Sequence, residues 1–276
     1  MTRFLVVPQW QGSSSARAMQ LVDGAQAIAG DLPRAACQTV EVPLEAGESL
    51  DSGVHRLSAL QHCARVQLTA LAELADSGEP VLSVGGDAGV ATTAALAATG
   101  ATTAAPDPGA AVVWFSAHAA LHDADTSPTG AFDTMAVRAL VDDAVPRPAE
   151  HGLDPSRVVL AGVRAIDPIE ERVAARLGLS VITADELTPA AVVAAVGDAT
   201  SVFVHIDLDV LDPSAMVGLS DPEPFGPDVA AVTACIQALR QSARLCGSAI
   251  TGFSPPTPAD AVADLGAILR LVGALA

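Results

Sequence analysis

Short runs of β-branched and apolar residues alternate along this chain with longer Ala- and Leu-rich segments whose apolar positions recur every three to four residues. The short runs, at 4–7, 39–42, 81–84, 112–115, 158–161, 181–183, 202–207 and 249–253, read as strands. The longer segments, at 15–28, 54–74, 133–141, 169–177, 189–196, 227–240 and 258–275, read as helices. In segment 54–74, Leu57, Leu60, Leu68, Leu71 and Leu74 fall largely on one face, as a helix packed on a core requires. Strand–helix alternation of this kind predicts an α/β fold, a parallel sheet covered by helices on both faces. No Pro/Gly-rich linker divides the chain and no internal repeat is visible. One domain over residues 1–276 is the expectation.

Open parallel sheets bind ligands at the carboxyl ends of their strands. The polar clusters of this chain fall there: GGDAG (85–89), SAHAALHDAD (116–125), HIDLD (205–209) and GFSPP (252–256). They are expected to converge on one rim. HIDLD is the most informative of them. Side chains alternate along a strand, so His205, Asp207 and Asp209 should project from one face. Two carboxylates a pleat apart repel each other unless a cation sits between them. The blander reading is a strand that ends in an acidic turn, stopped by Asp212-Pro213. Asp87 is expected to tie the Gly85-Gly86 turn, and Ser13–Ser15 to cap the first helix.

Charge narrows the field of ligands. The net charge is −18, and all 14 basic residues are arginine. Such a surface repels phosphate backbones, which argues against nucleic-acid binding, and it attracts small cations such as a guanidinium. No uninterrupted apolar run reaches about 18 residues, so no membrane span is expected. The start, MTRFLVVPQW, has no signal-peptide core and reads as a first strand, which makes the cytoplasm the default compartment. Four scattered cysteines with no CxxC pair suit small buried side chains in a reducing setting. There is no GxSxG elbow for serine hydrolysis, and the glycines at 85–86 lack the GxGxxG spacing of a nucleotide loop.

Five segments, in order, resemble the arginase/agmatinase family of ureohydrolases. SVGGDAGV (83–90) is similar to the family's GGDH segment. VVWFSAHAALHDADTSPTGAFDTMAVRAL (112–140) is similar to WxDAHxDxN and the loop that follows it. LAGVRAIDPIEERVAARLGLSVITADEL (160–187) is similar to GxRxxDPxE and the next strand. HIDLDVLDP (205–213) is similar to SxDxDxxDP, and DPEPFGP (221–227) to the PExxG helix start. The resemblance runs from about residue 80 to the C-terminus. It implies a three-layer α/β/α fold with a central, mostly parallel sheet. It also implies two manganese ions, hydrolysis of guanidino-type C–N bonds by a metal-activated water, and assembly into homo-trimers or hexamers.

The ligand positions implied by this resemblance are unevenly kept. The His of GGDH is Ala88, the Asp before Ala-His is Ser116, and the second Asp of that segment is Ala120. His118, Asp207 and Asp209 are retained. A methyl group does not ligate a hard cation, so the losses fall mainly on one of the two metals. The other keeps His118, Asp207 and Asp209, with Ser116 or a water filling in and His205 as a possible extra ligand. His122, Asp123 and Asp125 lie in the same loop. The family's proton-shuttling His corresponds to Asp133, and the late Glu that grips the guanidinium corresponds to Gly252. Two expectations follow: a divergent amidinohydrolase-like hydrolase with at most one manganese ion per chain and with His118 and Asp133 as its catalytic candidates, or a non-catalytic member serving as an assembly or regulatory scaffold. A cationic guanidino compound is the expected small-molecule partner, and a homo-oligomer the expected assembly.

Overall fold

The computed structural model describes residues 2–75, 78–103 and 106–276. Eight strands form one sheet: β1 (Arg3–Val7), β2 (Cys37–Thr39), β3 (Val81–Gly85), β4 (Ala110–Phe115), β5 (Val158–Val163), β6 (Ser180–Thr183), β7 (Ser201–Asp207) and β8 (Arg244–Thr251). Their order is β2-β1-β3-β8-β7-β4-β5-β6, and every pairing is parallel. The helices are α1 (Gln20–Gly30), α2 (Leu57–Ala75), α3 (Ala88–Ala98), α4 (Arg138–Val141), α5 (Pro168–Leu177), α6 (Pro189–Val196), α7 (Val229–Ser242) and α8 (Pro258–Leu275). The expected parallel α/β architecture is the one observed.

The period-two alternation of the strands divides the core. Phe4, Val6, Val113 and Phe115 pack toward α1, α6, α7 and α8. Their neighbours Leu5, Val7, Val112 and Trp114 pack toward α2, α3, α4 and α5 on the opposite face. Both faces of the sheet are thus covered, which gives three layers. None of the described helices is long and apolar enough to cross a membrane.

Four elements differ from the sequence expectation. Helix α3 has no counterpart in it. Its sequence, AGVATTAALAA, is buried from Ala88 through Leu96 and small or apolar all round, so there is no stripe for periodicity to detect. Segment 133–141 splits into a 3-10 turn at Phe132–Met135 and the short α4. Helix α1 starts at Gln20, and its flanking residue Met19 caps nothing through its side chain. Ser13–Ser15 therefore do not cap that helix. They form a loop in which the Ser14 backbone N–H and hydroxyl both donate to Asp133, at 2.7 and 2.8 Å. Strand β2 is also shorter and earlier than expected, although Val40 N–H still donates to the Val6 carbonyl at 2.8 Å.

Candidate active site

Four neighbouring strands in the middle of the sheet, β3, β8, β7 and β4, end at a cavity of about 410 Å³. It is lined by Gly86–Ala88 after β3, Ser116 to His122 after β4, Asp207 and Asp209 at the end of β7, and Gly252 after β8. The four polar clusters do meet on one rim. Eight carboxylates and two histidines line this cavity, with no arginine among the lining residues. The concentration of negative charge suits a cation.

The turn after β3 is built on close backbone approach. A Cβ on Gly86 would collide with the Gln9 carbonyl, so only glycine fits there. Asp87 then caps α3 by accepting from Gly89 N–H at 2.8 Å. It also accepts from Gly12 N–H at 2.7 Å and from the Gln9 amide at 2.7 Å. Its expected role in tying this turn is what the contacts show. Burial pushes its carboxyl up to about 6, against the pull of those three donors.

At the ends of β4 and β7, four predicted residues form one network. His118 Nδ1 donates to Asp209 Oδ2 at 2.7 Å. The Ser116 hydroxyl donates to the same oxygen at 3.2 Å, and Ala117 N–H to Asp209 Oδ1 at 2.9 Å. Ser116 in turn accepts from His118 N–H at 3.0 Å. Asp207 joins through Asp209 N–H, which donates to its Oδ1 at 3.1 Å. Burial and the neighbouring Asp209 charge hold the Asp207 carboxyl well above its usual range. Burial lowers His118, but the hydrogen bond and charge of Asp209 outweigh it and push the imidazole up to about 9. His118 Nε2 faces Asp221 and Glu223 at 3.5 and 3.8 Å.

Strand geometry treats the three residues of HIDLD differently. Strand β7 ends at Asp207, and a 3-10 turn over Leu208–Val210 presents Asp209, so the pleat does not carry all three to one place. His205 lies a layer below the cavity, fully buried against the Trp114 ring with centroids 3.8 Å apart. Its Nε2 meets the Thr251 hydroxyl at 2.7 Å, and Thr251 donates to Asp207 Oδ2 at 3.0 Å. One hydroxyl hydrogen serves that second bond, so His205 Nε2 carries the proton of the first. Burial keeps the ring neutral by pushing its pKa down. His205 thus reaches Asp207 only through Thr251.

Asp133 lines the cavity opposite these residues, with Oδ2 held by Ser14 and Oδ1 accepting from Thr134 N–H at 2.8 Å. Burial raises its pKa, against the Ser14 donors. Ala88 and Ala120 place methyl groups in the lining. Gly252 has a left-handed backbone, φ 85°, and a Cβ there would strike Asp207 Oδ1.

Another group was not found in the sequence as a unit. His122, Asp167 and Glu170 offer ligand atoms that all lie within 4.8 Å of one another, and they line the same cavity. His122 follows β4, whereas Asp167 and Glu170 open α5 after β5, with Asp167 as its N-cap in a capping box. Only the side-by-side pairing of β4 and β5 brings them together. The D-P-I-E helix start was legible; its meeting with His122 was not.

A sequence profile of the arginase family matches residues 11–272. The chain belongs to the arginase family. The chain is 26% identical to the arginase of Bacillus caldovelox over 199 residues, 66% of this chain and 65% of that one. It is 30% identical over 165 residues to the N(omega)-hydroxy-L-arginine amidinohydrolase of Streptomyces lavendulae, 59% of this chain and 58% of that one. The matched stretch is thus less than two thirds of either curated relative. Among solved structures, Entamoeba histolytica arginase in complex with L-ornithine superposes with a TM-score of 0.85 over 99% of this chain and 97% of that one, at 18% identity. This last likeness is one of fold.

Proposed function

We propose that this arginase-family chain is a metal-dependent amidinohydrolase of guanidino-type C–N bonds whose sheet-end site holds at most one cation, at His118, Asp207 and Asp209. The observation that carries the reading is the cavity: eight carboxylates and two histidines with no arginine in the lining, at the carboxyl ends of the central strands, around the retained His118–Asp209 pair. By donor chemistry, imidazole nitrogen, carboxylate oxygen and the Ser116 hydroxyl suit a hard or borderline divalent ion such as Mn²⁺, although among the described residues only His122, Asp167 and Glu170 bring three ligand atoms within 4.8 Å of one another. Ala88 and Ala120 supply no donor for a second ion beside it. A bound cation would lower the pKa of a water and polarise the guanidinium.

The chain's own groups do the rest. Asp209 orients His118 and holds its Nδ1 proton. Thr251 fixes Asp207 Oδ2. Asp221 and Glu223, both partly exposed, offer acceptors to the N–H groups of a guanidinium entering from solvent. Asp133, whose carboxyl burial raises against the Ser14 donors, is the lining group we assign to proton transfer with the departing amine. Four free cysteines suit the reducing cytoplasm, and we read the protein as one domain that assembles into a homo-oligomer. Sedimentation that returns a monomer at micromolar concentration would contradict the assembly.

One observation favours a second reading, a non-catalytic scaffold: three positions where the family supplies metal or substrate contacts are Ala88, Ala120 and Gly252. The test is urea release from L-arginine, N-hydroxy-L-arginine and agmatine by the full chain with added Mn²⁺. Turnover that Asp209→Asn abolishes supports the hydrolase. Absence of urea from all three, in protein shown to bind metal, supports the scaffold.

A further inference from the structure

We propose, resting on the reading of Asp207 as a ligand, that His205 is a positioning residue for the sheet-end site: it holds the Thr251 hydroxyl and, through it, the Asp207 carboxylate in one orientation. The sheet register sets the three residues beside one another. Asp207 on β7 pairs with Thr251 on β8, and His205, two residues back on the same face, pairs with Ala249. The small Ala249 side chain leaves the ring room to lean along the strand toward Thr251. Ring Nε2 meets the Thr251 hydroxyl at 2.7 Å, and that hydroxyl donates to Asp207 Oδ2 at 3.0 Å. A carboxylate that binds a cation is ionised and only accepts hydrogen bonds. The single Thr251 hydrogen then belongs to Asp207, and the ring N–H donates to Thr251.

Packing alone does not account for this ring. His205 is fully buried against Trp114, a space that an apolar side chain would fill without polar atoms to satisfy. Its Nδ1 has no hydrogen-bond partner among the described residues, and a buried polar atom left unpaired is destabilising. What the imidazole adds over an apolar residue is its one bond to Thr251. That bond satisfies the Thr251 oxygen, which is itself buried, and leaves its hydrogen for Asp207. In the segment similar to SxDxDxxDP, His205 stands where the pattern has serine.

The far end of the relay is an oxygen of the site. Asp207 Oδ1 accepts from Asp209 N–H at 3.1 Å. Gly252 keeps the space before that oxygen clear, since a Cβ there would strike it. With Oδ2 held by Thr251, the carboxylate is fixed from both ends and Oδ1 is the oxygen left facing the clear space. Groups behind a ligand orient it in this way, and their loss weakens binding although they never touch the ion.

The test is Mn²⁺ titration of the chelator-treated full-length chain by calorimetry. Thermal melting of each metal-free variant separates loss of fold from loss of binding. The event scored is the one that Asp209→Asn weakens; its absence from wild type overturns the reading of the site and this inference with it. Thr251→Val, which keeps the shape and removes the hydroxyl, should weaken that event at least about tenfold. Thr251→Ser, which keeps the hydroxyl, should bind nearly as wild type does. His205→Leu, which fills the space against Trp114 without a donor, should also weaken it about tenfold. His205→Gln, whose amide can donate from the place of Nε2, should recover most of that loss. Should His205→Leu fail to fold, the two Thr251 variants carry the test. Wild-type affinity in Thr251→Val or in His205→Leu, or a Thr251→Ser variant as weak as Thr251→Val, would overturn the positioning role and leave the reading of the site standing.

Discussion

The two sides of the sheet-end rim have fared differently. On the side of β4 and β7, Asp209 accepts three hydrogen bonds, Ser116 relays a fourth, and His118 is locked in orientation. On the other side, after β3 and β8, the rim presents the Ala88 methyl group and Gly252, where the sequence reading expects family ligands. The backbone frame is nonetheless intact on both sides: Asp87, beside Ala88, still makes every contact that the turn needs. On the sequence reading, side chains that hold up the fold persist where side chains that would hold only a metal do not. A ligand that also satisfies backbone and neighbouring donors is costly to lose; one that serves only an ion is not.

This contrast gives a graded set of expectations. Asp209→Ala should cost the most. It strands the Ala117 amide, the Ser116 hydroxyl and the His118 ring in a buried site, an expected loss of about 3 kcal/mol in urea denaturation. A loss below about 1 kcal/mol would show that the kept side is no better built than the lost one. Gly252→Ala comes next, at about 2 kcal/mol by the same measurement, because the left-handed backbone strains any L-residue and the new methyl meets Asp207. The combined Ala88→His, Ser116→Asp and Ala120→Asp variant should gain about one equivalent of dialysis-resistant manganese by elemental analysis, the three acting as a unit. Ala120 has φ 53°, a conformation that Asp tolerates better than Ala, so that replacement suits the backbone. No gain in manganese would mean that the rim itself has changed shape.

The smallest expected effect is on pH dependence. In chelated protein, His118 is raised to about 9 in the folded state, so its contribution is full below the ordinary histidine value and is lost as pH rises through 9. Asp207 acts in the same direction, since a carboxyl raised on folding stabilises at low pH and less as it ionises. The melting temperature should therefore fall by a few degrees between pH 7 and pH 9.5, and His118→Gln should flatten the change. A melt that rises over this range would reverse the assignment.

Much of this was legible in the sequence, and what was not has identifiable causes. Strands showed as β-branched runs, and the rim as polar clusters at their ends. Helix α3 escaped because a helix buried on all sides has no amphipathic period. His205 was grouped with Asp207 and Asp209 by alternation, but the strand ends at Asp207 and a turn delivers Asp209. The Ser13–Ser15 loop resembled a cap in composition, whereas its partner is Asp133, far along the chain. His122 and the α5 start were each visible, but their meeting depends on strand order, which local pattern does not encode.

That strand order also constrains how the molecule is made. Strands β2, β1 and β3 form one block and β7, β4, β5 and β6 another, and β8 alone joins them. Val84 pairs with Ile250, so the two blocks are bridged by a strand that follows the other seven in sequence. During synthesis, Gly86 and Asp87 wait on one block while His118, Asp207 and Asp209 wait on the other. The cavity comes into being when β8 inserts between them. Such long-range closure predicts slow folding, and a nascent chain with two unpaired edges to protect until β8 emerges.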